Sequence, residues 1–130
     1  MSRTVLLIED NDQNAYLVAI LLNPHRYRVV HAADGPGGIA LARTLLPTVI
    51  LLDIQLPTMD GYTVARHLRE IESLHSTPII AVTSYAMLGD REKAIESGCT
   101  GYIEKPINPE TFVAEVEQFL TPPPPSPEAP

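Results

Sequence analysis

Reactive side chains follow four short apolar runs in this chain of 130 residues. The runs are residues 5–8, 49–52, 79–82 and 102–103, and they are followed by Glu9 and Asp10, Asp53, Thr83, and Glu104 and Lys105. If these runs are neighbouring strands of one parallel sheet, their carboxyl ends meet at one edge, where open α/β sheets bind their ligands. Carboxylates, a hydroxyl and an ammonium would then share one site, which is suited to phosphate and a metal ion.

The acidic residues Glu9, Asp10 and Asp53 would lie close enough together to repel one another. A pair of unit charges about 4 Å apart repels by roughly 4 kcal/mol at an effective dielectric constant of about 20. A cation must offset this repulsion, and an all-oxygen ligand set without imidazole or thiolate favours Mg²⁺. We expect Asp10 and Asp53 to be direct ligands, with the backbone carbonyl of Gln55 as a further one.

The other polar residues at this edge suit phosphoryl transfer. Lys105 is a compact cation for one phosphate oxygen, and the Thr83 hydroxyl can donate to another. Asp53 would face both the metal and the lysine, and carboxylates are known nucleophiles toward phosphorus. An aspartyl phosphate on Asp53 is therefore expected, with catalysis that depends on positioning and charge neutralisation.

The overall composition excludes several classes of protein. A net charge of −7 and a pI near 4.9 argue against direct nucleic-acid binding, which needs a basic face. No apolar run reaches the roughly 20 residues that cross a bilayer, so no membrane contact is expected. The lone Cys99 cannot form an intrachain disulfide, which favours a cytoplasmic setting.

Five strand patterns alternate with five helical ones along the chain. Short apolar runs predict strands at residues 4–8, 28–32, 48–52, 78–83 and 101–104. Helices are expected at residues 15–22, after Asp34, after Asp60, and from 87 to 97 and 109 to 120. This alternation predicts an α/β fold, a doubly wound three-layer sandwich with a parallel sheet between two layers of helices.

Apolar residues at helical spacing predict the buried faces of three helices. The second helix would bury Ile39, Ala40, Ala42, Leu45 and Leu46. The third would bury Val64, Ala65, Leu68 and Ile71, and the last would bury Phe112, Val113, Val116, Phe119 and Leu120.

Residues 1–120 are expected to form one domain, followed by a proline-rich disordered tail at residues 121–130. The prolines of this tail exclude helix and sheet, so an extended polyproline segment is expected. An inert tail is favoured over a docking peptide for a proline-binding domain.

Residues 4–120 resemble the receiver domain of two-component response regulators. The resemblance rests on Glu9-Asp10, Asp53, Thr83 and Lys105-Pro106, in this order and at these intervals. It implies that the paired acids bind Mg²⁺ and that Asp53 accepts a phosphoryl group from a histidine kinase or histidine phosphotransfer protein. Thr83 and Lys105 would contact the phosphate, and the peptide bond before Pro106 would be cis.

The resemblance also implies a flavodoxin-like sheet of order 2-1-3-4-5 and a switch. Thr83 would move toward the phosphate, and Tyr102, which matches the family's switch aromatic, would turn inward. A downstream protein target would bind the face formed by helix four, strand five and helix five. Gln55 and Tyr85 match positions that tune dephosphorylation. The run from Glu9 to Asn14 is closer to stand-alone receivers and to those fused to hybrid kinases than to DNA-binding regulators.

Plainer interpretations remain for individual residues. Tyr102 could be ordinary core, and Tyr85 could be helix-surface packing. Cys99 is expected to be a packed small hydrophobe rather than a reactive thiol. The four histidines share no metal-ligand spacing, and they are expected to be exposed structural residues: His25, His31, His67 and His75.

Three classes of function stay open. The leading one is a single-domain response regulator that signals by protein contact, or within it a phosphate shuttle or sink. An aspartyl-phosphate-type phosphatase is disfavoured, because such enzymes need an acid two residues beyond the nucleophile, where this chain has Gln55. A flavodoxin-like cofactor binder is disfavoured too, because it needs a loop rich in Ser, Thr and Gly after the first strand, whereas Glu9-Asp10-Asn11-Asp12 would repel a phosphate.

Overall fold

The computed structural model describes residues 3–84 and 89–120. Five parallel strands alternate with five α-helices. The strands are β1 (Arg3–Ile8), β2 (Tyr27–Ala32), β3 (Val49–Asp53), β4 (Ile79–Thr83) and β5 (Gly101–Glu104). The helices are α1 (Asp12–Leu22), α2 (Gly35–Leu45), α3 (Gly61–Arg69), α4 (Asp90–Glu96) and α5 (Phe112–Glu117). None of the helices in these described ranges is long and apolar enough to cross a membrane.

The sheet has the order β2-β1-β3-β4-β5, which confirms the order that the resemblance implies. Ile8 at the end of β1 pairs with Ala32 of β2 and with Leu52 of β3. Asp53 pairs with Val82, and Thr83 pairs with Glu104. Because all five strands run in the same direction, their carboxyl ends share one edge of the sheet.

Each face of the sheet carries its own apolar cluster, as expected of a parallel sheet that helices cover on both sides. One cluster packs α2, α3 and α4 on the sheet through Ala42, Leu68 and Ala94. The other packs α1 and α5 on the opposite face through Val18 and Phe112. The molecule therefore has the predicted three layers.

Three helices begin at side-chain caps, and the sequence predicts two of these starts, at Asp34 and Asp60. Asn11, Asp34 and Asp60 each accept a hydrogen bond from the backbone N–H three residues further on. Such caps satisfy backbone donors that have no partner inside the helix. They also fix the point at which the chain turns from the end of a strand into the next helix.

Several predicted details are wrong or lie outside the described residues. Ala40 and Leu46 are exposed, and Leu46 has a positive φ of 50° where the chain leaves α2. Ile71 packs on the core but follows the end of α3. Helix α5 is shorter than expected, because turns occupy residues 109–111 and 118–119. The expected start of the fourth helix near residue 87, and the tail at residues 121–130, are outside the described ranges.

Arg69, the last residue of α3, donates hydrogen bonds to the loops before β4 and β5, at the end of the sheet opposite the predicted site. Its Nη1 donates to the carbonyls of Leu74 and Thr77, each at 2.7 Å. Its Nε donates to the carbonyl of Gly98 at 2.7 Å, and its Nη2 donates to Oγ1 of Thr100 at 3.0 Å. Three backbone carbonyls thus accept hydrogen bonds from one guanidinium group.

Replacing Arg69 by methionine is expected to lower the free energy of unfolding by about 2–4 kcal/mol. The physical reason is that the carbonyls of Leu74, Thr77 and Gly98 would lose a charged donor in a half-buried setting. Urea unfolding followed by far-ultraviolet circular dichroism measures this change. Arg66→Met on the exposed side of α3 is the matched control, with an expected loss below about 1 kcal/mol. Equal losses in the two variants would contradict this role for Arg69.

Candidate functional site

The carboxyl ends of four strands bring together the residues that the sequence predicts. Glu9 directly follows β1, Asp53 ends β3, Thr83 ends β4, and Lys105 directly follows β5. The ladder continues one step beyond two of these strands, because the Glu9 N–H donates to the Ala32 carbonyl at 3.0 Å and the Lys105 N–H donates to the Thr83 carbonyl at 2.8 Å. The backbones that carry these side chains are therefore held by the sheet itself.

The acidic residues form one cluster. Glu9, Asp10 and Asp53 each offer a carboxylate oxygen, and these oxygens lie within 4.8 Å of one another. Glu9 and Asp53 are only 3 % and 5 % exposed, whereas Asp10 is exposed to solvent. A ligand set of carboxylate oxygens fits a hard divalent cation, so this cluster could hold a metal ion such as Mg²⁺.

Lys105 lies between the two buried carboxylates. Its Nζ is 2.8 Å from Oε1 of Glu9 and 3.6 Å from Oδ2 of Asp53. The sequence predicted Lys105 at this edge of the sheet but did not indicate its pairing with Glu9. The Lys105–Pro106 peptide bond is cis, as the resemblance implies.

The second oxygen of each buried carboxylate accepts a hydrogen bond from a backbone N–H two residues further on. Oε2 of Glu9 accepts from Asn11 at 3.2 Å, and Oδ1 of Asp53 accepts from Gln55 at 3.0 Å. Each carboxylate thus has one oxygen bound by its own loop and the other directed toward Lys105. This arrangement fixes both carboxylates from two sides.

The loop after Asp53 passes very close to the start of α3. A Cβ added at Gly61 would lie 2.5 Å from the Ile54 Cα and 2.7 Å from the Asp53 carbonyl oxygen, and neither backbone atom can move away easily. The Gly61 N–H also donates to the Ile54 carbonyl at 2.8 Å. Glycine is therefore required here for α3 to begin directly against the backbone that carries Asp53.

The two buried carboxylates differ in their affinity for a proton. Burial raises the pKa of Asp53 to about 7, and the negative charge of Glu9 adds to this rise, against the opposing effects of the Gln55 N–H and Lys105. Burial would also raise the pKa of Glu9, but the hydrogen bond and positive charge of Lys105 and the Asn11 N–H together lower it. Asp53 is therefore the carboxyl group of the pair that binds a proton more readily.

Thr83 is buried beside Asp53, with 2 % of its surface exposed. The following residue, Ser84, donates from its hydroxyl to Oε1 of Gln55 at 3.2 Å. This hydrogen bond joins the loops that follow β3 and β4. Tyr85, which the resemblance links to dephosphorylation, lies outside the described residues, and the expected role of Gln55 stays a prediction.

Tyr102 on β5 is half-buried and packs against the cluster that contains α3 and α4. Cζ of Arg91, on α4, lies 6.0 Å from the centre of the tyrosine ring. Burial raises the pKa of the Tyr102 hydroxyl, and the charges of Asp90 and Glu104 add to this effect. Both the core and the switch interpretations are compatible with this position.

A cavity of about 320 Å³ adjoins Lys105 between α1 and the loops after β4 and β5. It is lined by Asn14, Leu17, Ser84, Lys105, Pro106 and Ile107. Because the lining combines apolar side chains with a lysine and two neutral polar residues, the cavity offers a contact surface beside the acidic cluster.

The histidines and the cysteine occupy the expected environments, with one addition. All four histidines are exposed, and Cys99 is buried. The addition is that Nε2 of His31 lies 2.6 Å from the Glu9 carbonyl oxygen. No sequence pattern indicates this contact, which depends on the register of β1 and β2 and on the direction of the side chain.

Comparison with known proteins identifies the family. The family model for the response regulator receiver domain matches residues 5–117. The chain belongs to this family. Among its relatives is the polar-differentiation response regulator DivK of Brucella ovis, which is 38 % identical over 120 residues, covering 92 % of this chain and 98 % of DivK.

Two solved structures of receiver proteins are similar to this chain. One is the receiver domain of sensor histidine kinase PA1611 from Pseudomonas aeruginosa PAO1, whose structure has a magnesium ion coordinated in the active site cleft. It is 33 % identical to this chain with a TM-score of 0.84, and the match covers 92 % of this chain and 98 % of PA1611's receiver domain. The chemotaxis response regulator CheY4 of Vibrio cholerae is 28 % identical with a TM-score of 0.87, covering 92 % and 100 %.

Replacing Asp53 by asparagine is expected to stabilise the metal-free protein at neutral pH by about 2 kcal/mol. The raised pKa means that the folded protein binds a proton on Asp53 at pH values where the unfolded chain has lost it. The contribution of Asp53 to the stability of the parent protein therefore falls as pH rises from about 4 to about 7, and the advantage of the variant grows over the same range. Urea unfolding in the presence of EDTA at several pH values measures both quantities.

The matched control for this experiment is Asp60→Asn, which keeps a capping side chain at the start of α3. Its effect is expected to stay below about 0.5 kcal/mol at every pH. An Asp53→Asn advantage that does not change between about pH 4 and pH 8 would show that the Asp53 carboxylate carries no charge penalty in the folded state.

Proposed function

We propose that this chain is a single-domain response regulator in which Asp53 accepts a phosphoryl group, with Mg²⁺ as cofactor. The observation that carries the proposal is the surroundings of the Asp53 carboxylate. It is buried, it shares an acidic cluster with Glu9 and Asp10, and one of its oxygens lies 3.6 Å from Nζ of Lys105. The Brucella relatives support the single-domain form, because the match covers 98 % of their length.

The metal would be held by the carboxylates of Glu9, Asp10 and Asp53, together with the backbone carbonyl of Gln55. The donor chemistry supports this choice, since Mg²⁺ prefers oxygen ligands and commonly keeps several waters. The exposure of Asp10 leaves room for such waters on the solvent side of the cluster. When bound, Mg²⁺ supplies positive charge that offsets the charge of the transferred phosphoryl group.

Asp53 acts as the nucleophile in this proposal. One of its carboxylate oxygens forms a bond to phosphorus while the P–N bond of a phosphohistidine donor breaks and its electron pair returns to the imidazole. The backbone N–H of Gln55 holds Oδ1 at 3.0 Å, so the carboxylate is already oriented before the donor arrives. Asp53 must be deprotonated for this step, and its raised pKa makes that requirement harder to meet at acidic pH.

Lys105 and Thr83 would bind the phosphoryl oxygens. Lys105 is held by Glu9 at 2.8 Å, and its ammonium group can exchange this partner for a phosphate oxygen without leaving the site. Thr83 directly follows Val82, the residue that pairs with Asp53, and it carries a hydroxyl that can donate to a second oxygen. The self-catalysed gain and loss of the phosphoryl group would depend on these residues, and the protein would act as a signalling switch rather than as an enzyme on an external substrate.

The phosphoryl donor would be a histidine kinase or a histidine phosphotransfer protein. The cavity of about 320 Å³ beside Lys105 supports docking of such a donor next to the acceptor. Helix α1, which contributes Asn14 and Leu17 to that cavity, also exposes the apolar side chains of Tyr16 and Ile20. Exposed large apolar side chains close to a cavity favour protein contact. A cytoplasmic location belongs to this proposal, and the free, buried Cys99 fits it.

The output would be a change in affinity for a protein target at the face formed by α4, β5 and α5. Phosphorylation would shift the population between two arrangements in which Thr83 and Tyr102 occupy different positions. The half-buried state of Tyr102 supports such a role, because the ring has both core and solvent beside it. Ile95 of α4, with 48 % of its surface exposed, gives this face an apolar contact point.

Incubation with acetyl phosphate and Mg²⁺ is expected to add one phosphoryl group to the protein, because Asp53 is preoriented by Gln55 and faces Lys105. Intact-mass spectrometry measures the gain. Omission of Mg²⁺ or replacement of Asp53 by asparagine is expected to abolish it, whereas Asp60→Asn, which changes an exposed carboxylate in the same loop, is expected to leave it unchanged. Labelling that persists in Asp53→Asn would contradict the assignment of the acceptor.

A phosphotransfer assay separates a signalling regulator from a phosphate shuttle. Rapid return of the phosphoryl group from Asp53 to a histidine phosphotransfer protein would favour a shuttle or sink. Slow return together with a phosphorylation-dependent gain in target affinity would favour the signalling regulator.

A further inference from the structure

The Glu9 backbone is held by strand β2 at both of its polar groups. Its N–H donates to the Ala32 carbonyl at 3.0 Å, which continues the ladder of β1 and β2 by one step. Its carbonyl oxygen lies 2.6 Å from Nε2 of His31, the residue that precedes Ala32. The second contact comes from a side chain, at the point where the backbone of β2 leaves the sheet.

The chemistry of this contact determines the state of the imidazole ring. A carbonyl oxygen can only accept a hydrogen bond, so Nε2 of His31 must carry the proton and donate it. The residue as a whole is exposed, so burial of the ring does not account for its position, whereas the hydrogen bond does.

The peptide group that His31 holds lies between the first two members of the acidic cluster. The Glu9 carbonyl and the Asp10 N–H belong to the same planar unit, so the orientation of this carbonyl sets the direction in which the chain enters Asp10. Glu9 is buried and is further fixed by Lys105 at 2.8 Å. Asp10 is exposed, and the peptide that precedes it sets the position of its backbone N–H.

We propose that His31 is a positioning residue for the metal site: through its hydrogen bond to the Glu9 carbonyl, it orients the peptide between Glu9 and Asp10. This inference rests on the proposed function, because it assigns a role toward the Mg²⁺ that the acidic cluster would bind. His31 is not among the residues that would hold the metal or the phosphoryl group. It acts by holding the loop in the conformation that brings Asp10 and Asp53 together, so that less conformational entropy is lost when the metal ion binds.

Three variants of the full chain test this role. His31→Leu removes the donor and keeps much of the volume, and His31→Gln restores an N–H donor on a side chain of similar reach. His25→Leu is the matched control, because His25 is also exposed but lies before β2, at the opposite end of that strand. Isothermal titration calorimetry with MgCl₂ gives the dissociation constant of each variant, and urea unfolding checks that each one is folded.

His31→Leu is expected to weaken Mg²⁺ binding by roughly tenfold, and His31→Gln by less than about threefold. His25→Leu is expected to leave the dissociation constant unchanged. With acetyl phosphate, the labelling rate of His31→Leu is expected to fall at low Mg²⁺ and to return to the parent value at saturating Mg²⁺. A loss of the maximal rate at saturating Mg²⁺ would instead contradict a role limited to positioning the metal ligands.

A second measurement uses the metal-free parent protein. Nitrogen-15 NMR of the histidine rings is expected to show the Nε2–H tautomer for His31. The Nδ1–H tautomer, or equal Mg²⁺ affinity in His31→Leu and the parent, would overturn the inference while leaving the proposed function intact. Equal weakening in His31→Leu and His31→Gln would overturn the hydrogen bond as the cause. If the parent itself binds no Mg²⁺ and accepts no phosphoryl group, the proposed function fails and this inference fails with it.

Discussion

Two carboxylates buried against one another constrain the rest of this molecule. Glu9 and Asp53 are almost fully buried, and a charge on both would be unfavourable without a compensating cation. Lys105 supplies part of that compensation at 2.8 Å and 3.6 Å, and burial together with the charge of Glu9 raises the pKa of Asp53 to about 7, which favours its neutral form. The cluster is therefore prepared for additional positive charge, and the metal-free protein keeps it at a cost in stability.

The unfavourable free energy of burying these carboxylates arises at the carboxyl ends of the strands, and contacts elsewhere in the fold compensate for it. Glu9, Asp53 and Lys105 are far apart in the sequence, and only the parallel order of β1, β3, β4 and β5 brings their strand ends together. Two apolar clusters on opposite faces of the sheet stabilise that order. At the other end of the sheet, Arg69 satisfies three backbone carbonyls of the connecting loops. The buried carboxylates and the hydrogen bonds of Arg69 therefore lie at opposite ends of the strands.

The parts of this structure that the sequence predicts are those with a local physical cause. Short apolar runs bounded by polar residues correctly predicted the five strands, and capping residues such as Asp34 and Asp60 correctly predicted where two helices begin. Leu46 was expected to be buried by helical spacing alone, but the chain leaves α2 there with a positive φ, which directs the side chain into solvent. The contact of His31 with Glu9 depends on strand register and side-chain direction, and a single exposed histidine has no sequence pattern that would reveal it.

The same contacts connect Asp53 with residues outside the acidic cluster. Lys105 holds Glu9 and also lines the cavity beside α1, and it is joined through its backbone to Thr83. A phosphoryl group that attracts this lysine would weaken its ion pair with Glu9, and the hydrogen bond of Ser84 to Gln55 lies directly beside Thr83. Because Glu9 and Thr83 are buried and the Lys105 side chain is only 12 % exposed, a displacement of the lysine would act on both neighbours at once.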